Sequence, residues 1–404
     1  MTRRGHARVL MYSHDTFGLG HLRRCRSIAH ALVERFNGIL VLIISGSPIA
    51  GAFDFRARVD FVKIPSVIKL HNGDYTSLDE HIDLADTLEM RRAVIHHTAA
   101  SFDPDLMIVD KEPLGLRGEL ETTLRMLRGR GTTLICGLRE VMDSPEQLAK
   151  EWTRSEMVRK MSELYSHVWV YGPKDFWNPL SGLDIPAAME RRVTYTGYLD
   201  RTGKATPTLH GQPLPGNYLL VTAGGGGDGA PLMHQVLAAR EAASGFDQPV
   251  VLLLGPFMKT GDREGLHKRA AVLPGVTIID FDNRAETLMA NATGIVSMCG
   301  YNTFCEILSY DRPALIVPRT RPRREQEIRA RRAAEMGIVD MLLPEEAADP
   351  VRFAKALQRL PARNRPSQAT QPLALDGLDL ICDLVGDHFS RLSRNDLSVV
   401  GAGL

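Results

Sequence analysis

Two polar turns and one histidine supply the residue types on which group-transfer chemistry can be built. Near the C-terminal end, Cys299, Gly300, Tyr301, Asn302 and Thr303 follow an apolar run and open a helical pattern, with Glu306 one turn inside it. A carboxylate in that place accepts two hydrogen bonds from a vicinal diol such as a ribose; the alternative is a solvated Glu favoured by the helix dipole. Upstream, Gly224, Gly225, Gly226 and Gly227 stand in an unbroken run between the apolar stretch Asn217–Thr222 and the helical stretch Pro231–Ala242. Glycines so placed let the backbone approach closely and aim N–H groups at an anion, so a diphosphate fits, although a plain flexible turn has the same composition. Gly224, Gly226 and Gly229 also satisfy G-x-G-x-x-G, a pattern that any glycine run meets. A nicotinamide oxidoreductase is disfavoured, because the carboxylate expected about twenty residues further on has no clear counterpart.

In the N-terminal half the turn Gly18, Leu19, Gly20, His21 leads into a helical run whose apolar positions are Leu22, Cys25, Ile28, Ala29 and Leu32. An imidazole at a helix N-terminus is disfavoured as imidazolium and stays a neutral proton acceptor, which makes His21 a candidate base; a capping or solvated His is the alternative. Asp15 is placed to orient His21 or an acceptor, or else to cap the turn. Asp110, Lys111 and Glu112 follow the apolar run Leu106–Val109, at the carboxyl end of a strand where ligands bind, and Glu112 is the second candidate base.

The elements that must hold these residues alternate strand and helix. Apolar runs at Gly38–Ile44, Leu106–Val109, Thr132–Cys136 and Val168–Tyr171 alternate with helical stretches and predict one parallel sheet. Val276–Asp282, Gly294–Gly300 and Pro313–Pro318 belong to another, separated by helical runs. A chain of 404 residues exceeds the size at which one core keeps growing. The expectation is therefore α/β architecture with two doubly wound domains: residues 1–199, a linker over 200–216 rich in Thr, Pro and Gly, and a second domain over 217–370. A final helix with a frayed tail is expected over 371–404.

Composition narrows the function classes. The formal net charge is only +1, and no basic block is interleaved with aromatics, so nucleic acid is not an expected partner. The arginine-rich run from Arg319 to Arg332 contains Glu325 and Glu327 and reads as a helix facing solvent or an anionic ligand. Five cysteines without C-x-x-C spacing imply reduced thiols in a cytosol. Met1–Arg8 lacks the apolar region of a signal peptide. Asp103–Pro104–Asp105 and Asp280–Phe281–Asp282 spell D-x-D, but neither is accompanied by ligand-spaced His or carboxylates, so no metal is expected. Ile64–Leu70 with Phe53 and Phe55, near Arg56, Arg58 and Lys63, suggests an apolar patch for weak, salt-sensitive attachment to anionic membrane.

Taken together, the glycine loop, Phe281–Asp282, Ser297–Glu306 and Pro313–Pro318 followed by Arg324, Glu325 and Gln326 resemble the donor half of the MurG-type UDP-sugar glycosyltransferases. The resemblance implies the GT-B fold, two Rossmann-like domains facing across a cleft. The second would hold the donor through Gly224–Gly227, Phe281, Gly300, Asn302, Thr303, Glu306 on the ribose and Gln326 on the sugar. It implies an acceptor side at Asp15, Gly18, Gly20 and Arg24, and inverting transfer to a glycan, lipid-linked or small-molecule hydroxyl without metal or cofactor. A cytoplasmic enzyme of polysaccharide biosynthesis is implied, peripheral at the inner face of the membrane. The family's segment at Gln326 is usually Asp-Arg-Gln-Gln, from which this chain departs. Gly20, His21, Arg24 and Cys25 are also similar to the UDP-sugar hydrolases of pseudaminic acid synthesis, so a hydrolase or epimerase with the same donor site is the alternative.

Overall fold

The computed structural model describes residues 6–14, 20–69, 75–78, 81–202, 214, 216–283 and 285–391. Asp15 and Gly18, most of the expected linker and the tail from Arg394 lie outside the described residues. The chain divides into two compact units, residues 1–199 with 376–404, and residues 200–375.

Unit 1 is built on strands β1 (Ala7–Ser13), β2 (Ile39–Ser45), β3 (Val59–Lys63), β4 (Val67–Lys69), β5 (Tyr75–Ser77), β6 (Leu106–Asp110), β7 (Thr133–Arg139), β8 (His167–Tyr171) and β9 (Val193–Tyr195). All but β4 and β5, which form an antiparallel hairpin, join a parallel sheet of order β3-β2-β1-β6-β7-β8-β9. Helices α1 (Gly20–Arg35), α2 (Leu84–Phe102), α3 (Glu121–Gly129), α4 (Pro145–Arg154), α5 (Met157–Leu164) and α6 (Ala187–Glu190) connect the strands. Strands such as β6, LMIVD, are apolar almost throughout because helices cover both faces of a parallel sheet. Local signals start the helices: Asp83 accepts from the N–H of Asp86 at α2, and Ser144 accepts from that of Gln147 at α4, with Pro145 in the first turn.

Unit 2 has β10 (Leu219–Thr222), β11 (Val250–Leu253), β12 (Val276–Ile279), β13 (Gly294–Ser297), β14 (Ala314–Ile316) and β15 (Asp340–Met341), all parallel, in the order β12-β11-β10-β13-β14-β15. Its helices are α7 (Ala230–Ala242), α8 (Thr260–Ala270), α9 (Ala285–Asn291), α10 (Tyr301–Ser309), α11 (Glu325–Glu335), α12 (Pro344–Ala347) and α13 (Pro350–Arg359). Helix α14 (Gly377–Arg391) belongs to unit 1, where Asp376 bridges Leu199 and Cys382 and Val385 are buried. Each unit buries its own core, centred on Leu10, Val109 and Leu138 in one and on Val221, Leu252 and Val296 in the other.

Of the apolar patch expected around Phe53 and Ile64–Leu70, Leu70 lies outside the described residues and the described part is largely turned inward. Ile64 and Val67 are fully buried and Phe53 is 7% exposed, while Phe55 stacks on Phe61. Arg58 is also committed, because its guanidinium donates to the carbonyls of Val33, Phe36 and Asn37 where α1 ends. Among the described residues, no helix is long and apolar enough to cross a membrane.

Candidate functional site

Both sheets reverse their strand order beside their first strand. In unit 1, β1 lies between β2 and β6, so the connections leaving β1 and β6 diverge and open a crevice at the carboxyl ends. His21 stands in the first turn of α1 after β1, and Asp110 is the last residue of β6. His21 Nδ1 lies 2.5 Å from Asp110 Oδ2. Arg24, one turn along α1, donates from Nε to Asp110 Oδ1 at 2.7 Å and from Nη2 to Oδ2 at 2.6 Å. This bidentate pair is sealed in: Arg24 and Asp110 are each 1% exposed. Burial alone would push the Asp110 carboxyl up, but Arg24 and the His21 bond outweigh it and hold the group well below the usual carboxylate range.

The carboxylate fixes the ring. An ionised Asp110 only accepts, so Nδ1 carries the proton and Nε2 presents its lone pair, with no hydrogen-bond partner among the described residues. Burial lowers the His21 pKa to about 4; Asp110 opposes that shift, while Arg24 and Lys111 add to it. The ring is thus neutral and able to take a proton across the physiological range. His14 packs edge-on to His21, 5.8 Å between ring centroids, and burial holds it at about 3. Behind it, Tyr12 donates to Glu119, which pairs through both oxygens with the buried Arg91 at 2.6 and 2.7 Å. This network supports the end of β1 from below.

Several residues stand elsewhere than their sequence suggested. The Arg24 guanidinium is turned inward onto Asp110 and over the Tyr171 ring. The residue that orients His21 is Asp110. Glu112 is half-exposed and pairs with Lys111 Nζ at 3.2 Å, and Gly20 is the first residue of α1. The D-x-D motifs have structural uses: Asp105 accepts from the Arg8 N–H, Asp103 closes α2 in a left-handed conformation, and Asp280 pairs with His267.

In unit 2 the reversal falls between β10 and β13, and the two polar turns follow these two strands. Gly226 has φ +85°, and a Cβ there would lie 2.2 Å from the carbonyl oxygen of Leu254, so the loop is packed tightly against the end of β11. Gly224, at φ +64°, faces the other way: a Cβ there would have Thr303 Oγ1 as its nearest neighbour, 3.9 Å away across the gap. Gly300 caps α10, with open space where a side chain would stand. The gap between the glycine loop and the start of α10 thus has backbone on one side and a helix N-terminus on the other, an arrangement suited to an anion. Gly224→Val is expected to fill that gap and abolish binding of a nucleoside diphosphate such as UDP, at a modest cost in Tm from its left-handed φ but with unit 2 still folded, as judged by calorimetric titration and circular dichroism. Gly226→Val is expected to disrupt the loop itself and lower Tm, because its clash is with backbone.

Glu306 is 1% exposed, which overturns the solvated alternative. It shares a stripe of α10 with Asn302 and Ser309, and Arg201 lies along that stripe, its Nη2 donating to Asn302 Oδ1 at 2.7 Å and its N–H to Ser309 Oγ at 2.9 Å. Arg201 sits in the stretch expected to be linker, and nothing in its sequence context pointed to α10. Phe281 is 37% exposed just beyond β12. Gln326 Oε1 accepts from the Arg319 N–H at 3.0 Å, so it helps close its own loop. A groove of about 940 Å³ opens beside these segments, lined by Asp228, Met298, Arg319, Arg321, Arg324 and Glu327 among others.

Residues 219–375 match the glycosyltransferase family 28 C-terminal domain. No curated protein sequence matches the chain. Among solved structures, MurG of Acinetobacter baumannii is 15% identical with a TM-score of 0.55, the match covering 94% of this chain and 99% of that one. The glycosyltransferase VinC, solved with dTDP, is 18% identical at TM-score 0.60, covering 96% and 100%. A provisionally named UDP-N-acetylglucosamine 2-epimerase from Listeria monocytogenes is 13% identical at TM-score 0.63, covering 98% and 100%. At these identities the likeness is one of fold. Residues 219–375 thus carry a glycosyltransferase family 28 C-terminal domain in the second unit, and the two units together have the GT-B fold of these structures.

Proposed function

We propose that the protein transfers a hexosyl or N-acetylhexosaminyl group from a UDP-sugar to a hydroxyl acceptor, with inversion at the anomeric carbon and no metal. The observation that carries this reading is the pair His21–Asp110, a neutral imidazole oriented by a buried carboxylate in one unit, alongside a family 28 domain in the other. His21 Nε2 takes the proton of the acceptor hydroxyl as its oxygen attacks the anomeric carbon. The bond from that carbon to the diphosphate breaks, and UDP leaves with the electron pair. Backbone N–H groups of the glycine loop and the start of α10 stabilise the charge that develops on the diphosphate.

Glu306 is assigned to the ribose hydroxyls. Its burial requires the side chains along its stripe, Arg201 above all, to yield to the ligand or to join it. Glu306→Ala removes charge-assisted hydrogen bonds worth about 1.5–3 kcal/mol, so UDP should bind ten-fold or more weakly by calorimetric titration. Unchanged affinity in a folded variant would sink the assignment. A hydrolase reading is favoured by one feature: an oriented, neutral imidazole activates water as readily as a hydroxyl. Release of free sugar from a UDP-sugar with no acceptor added distinguishes it.

A further inference from the structure

Arg329 of α11 is completely buried. Its Nη1 donates to the carbonyl oxygen of Cys299 at 2.9 Å, and its guanidinium lies 5.8 Å from the centroid of the Tyr301 ring. Cys299 is itself unusual, a non-glycine residue at φ +65° in the turn between β13 and α10. A left-handed residue with a side chain persists only where its surroundings hold it, and a buried carbonyl needs a donor. Arg329 supplies that donor from thirty positions along the chain. The same helix reaches the glycine loop, since Arg319 pairs with Asp228 at 2.8 Å and with Glu325 of α11 at 2.6 Å. Both turns that flank the gap are therefore braced from α11.

We propose that Arg329 is a positioning residue for the nucleotide: it fixes the turn Met298–Gly300, so that the N-terminus of α10 is aimed before the ligand arrives, and it places a permanent positive charge behind the diphosphate. A guanidinium keeps its charge when buried, and in a site poor in water that charge acts on an anion more strongly than it would at the surface. Lysine in its place retains the charge and a donor, whereas methionine retains only the volume. This inference rests on unit 2 being the UDP site.

The test compares Arg329→Met, Arg329→Lys and Leu357→Ala, the last a core variant on α13 that lowers Tm without touching either turn. UDP affinity is measured by calorimetric titration at a temperature where all are folded. Arg329→Met should weaken UDP by about ten-fold or more, Arg329→Lys should recover most of that loss, and Leu357→Ala should bind as the parent does. If Arg329→Met binds UDP as the parent does, or if Leu357→Ala loses as much affinity as Arg329→Met, the role is structural only and the inference is overturned. A parent that does not bind UDP would instead overturn the assignment of the site.

Discussion

His21→Ala is expected to lower turnover by about 10²–10⁴-fold, the usual contribution of a positioned general base, while UDP affinity stays that of the parent. The split follows from where the groups sit: His21 belongs to unit 1, and every residue assigned to the nucleotide belongs to unit 2. A loss confined to kcat marks an interaction made in the transition state and not in nucleotide binding. The pH profile supplies a second readout. With burial holding the ring at about 4, Nε2 is protonated only below that value, so kcat/KM of the parent should fall as pH drops through about 4. The variant should lack this limb. If His21→Ala keeps most of its turnover while Glu112→Gln abolishes it, the base is Glu112.

Asp110→Asn is expected to cost both stability and rate. Asparagine leaves the buried Arg24 without its counter-charge, and breaking a buried pair from one side typically costs about 3–5 kcal/mol. The ring also loses the carboxylate that fixes its tautomer, a change that lowers rate by up to about 10⁴-fold where a similar dyad is known. The two effects separate in a double variant. Asp110→Asn with Arg24→Met removes both charges, so Tm should recover most of what the single variant lost, whereas turnover should not recover. Recovery of both would make the pair a structural brace with no part in catalysis.

Most of the site could be read as a set of turns, because each follows an apolar run and opens a helical period, and those patterns are local. The glycine loop and the Gly300 turn fall after β10 and β13, and His21 after β1, as their sequences suggested. What lies between distant residues was not legible. Asp110 sits 89 positions from His21, and only the strand order brings the ends of β1 and β6 together. Arg24 shares a helix face with His21 by its spacing, yet nothing local says that the face is turned inward. The solvated alternative for Glu306 rested on helix starts being usually wet; in the structure Glu306 is buried, on a stripe of α10 whose Asn302 accepts from Arg201. Phe53 and Ile64 went the opposite way, since apolar residues beside basic ones suit a surface patch and a connection packed onto the core alike. The packing of Gly226 against Leu254 depends on a neighbouring strand, so the glycine run alone could not distinguish the glycine that makes room for a ligand from the one that makes room for the protein.

A thermal unfolding titration of the unmodified chain tests most directly whether unit 2 is a UDP-sugar site. UDP, UDP-glucose and UDP-N-acetylglucosamine are compared with the GDP, dTDP and CMP counterparts. At a hundred times its dissociation constant a ligand stabilises the folded state by about 2.7 kcal/mol, a shift easily read in Tm. UDP and at least one UDP-sugar should stabilise the protein by that order, and the other nucleotides should do so less. Stabilisation by none of them, or by another nucleotide in preference to UDP, would contradict the account.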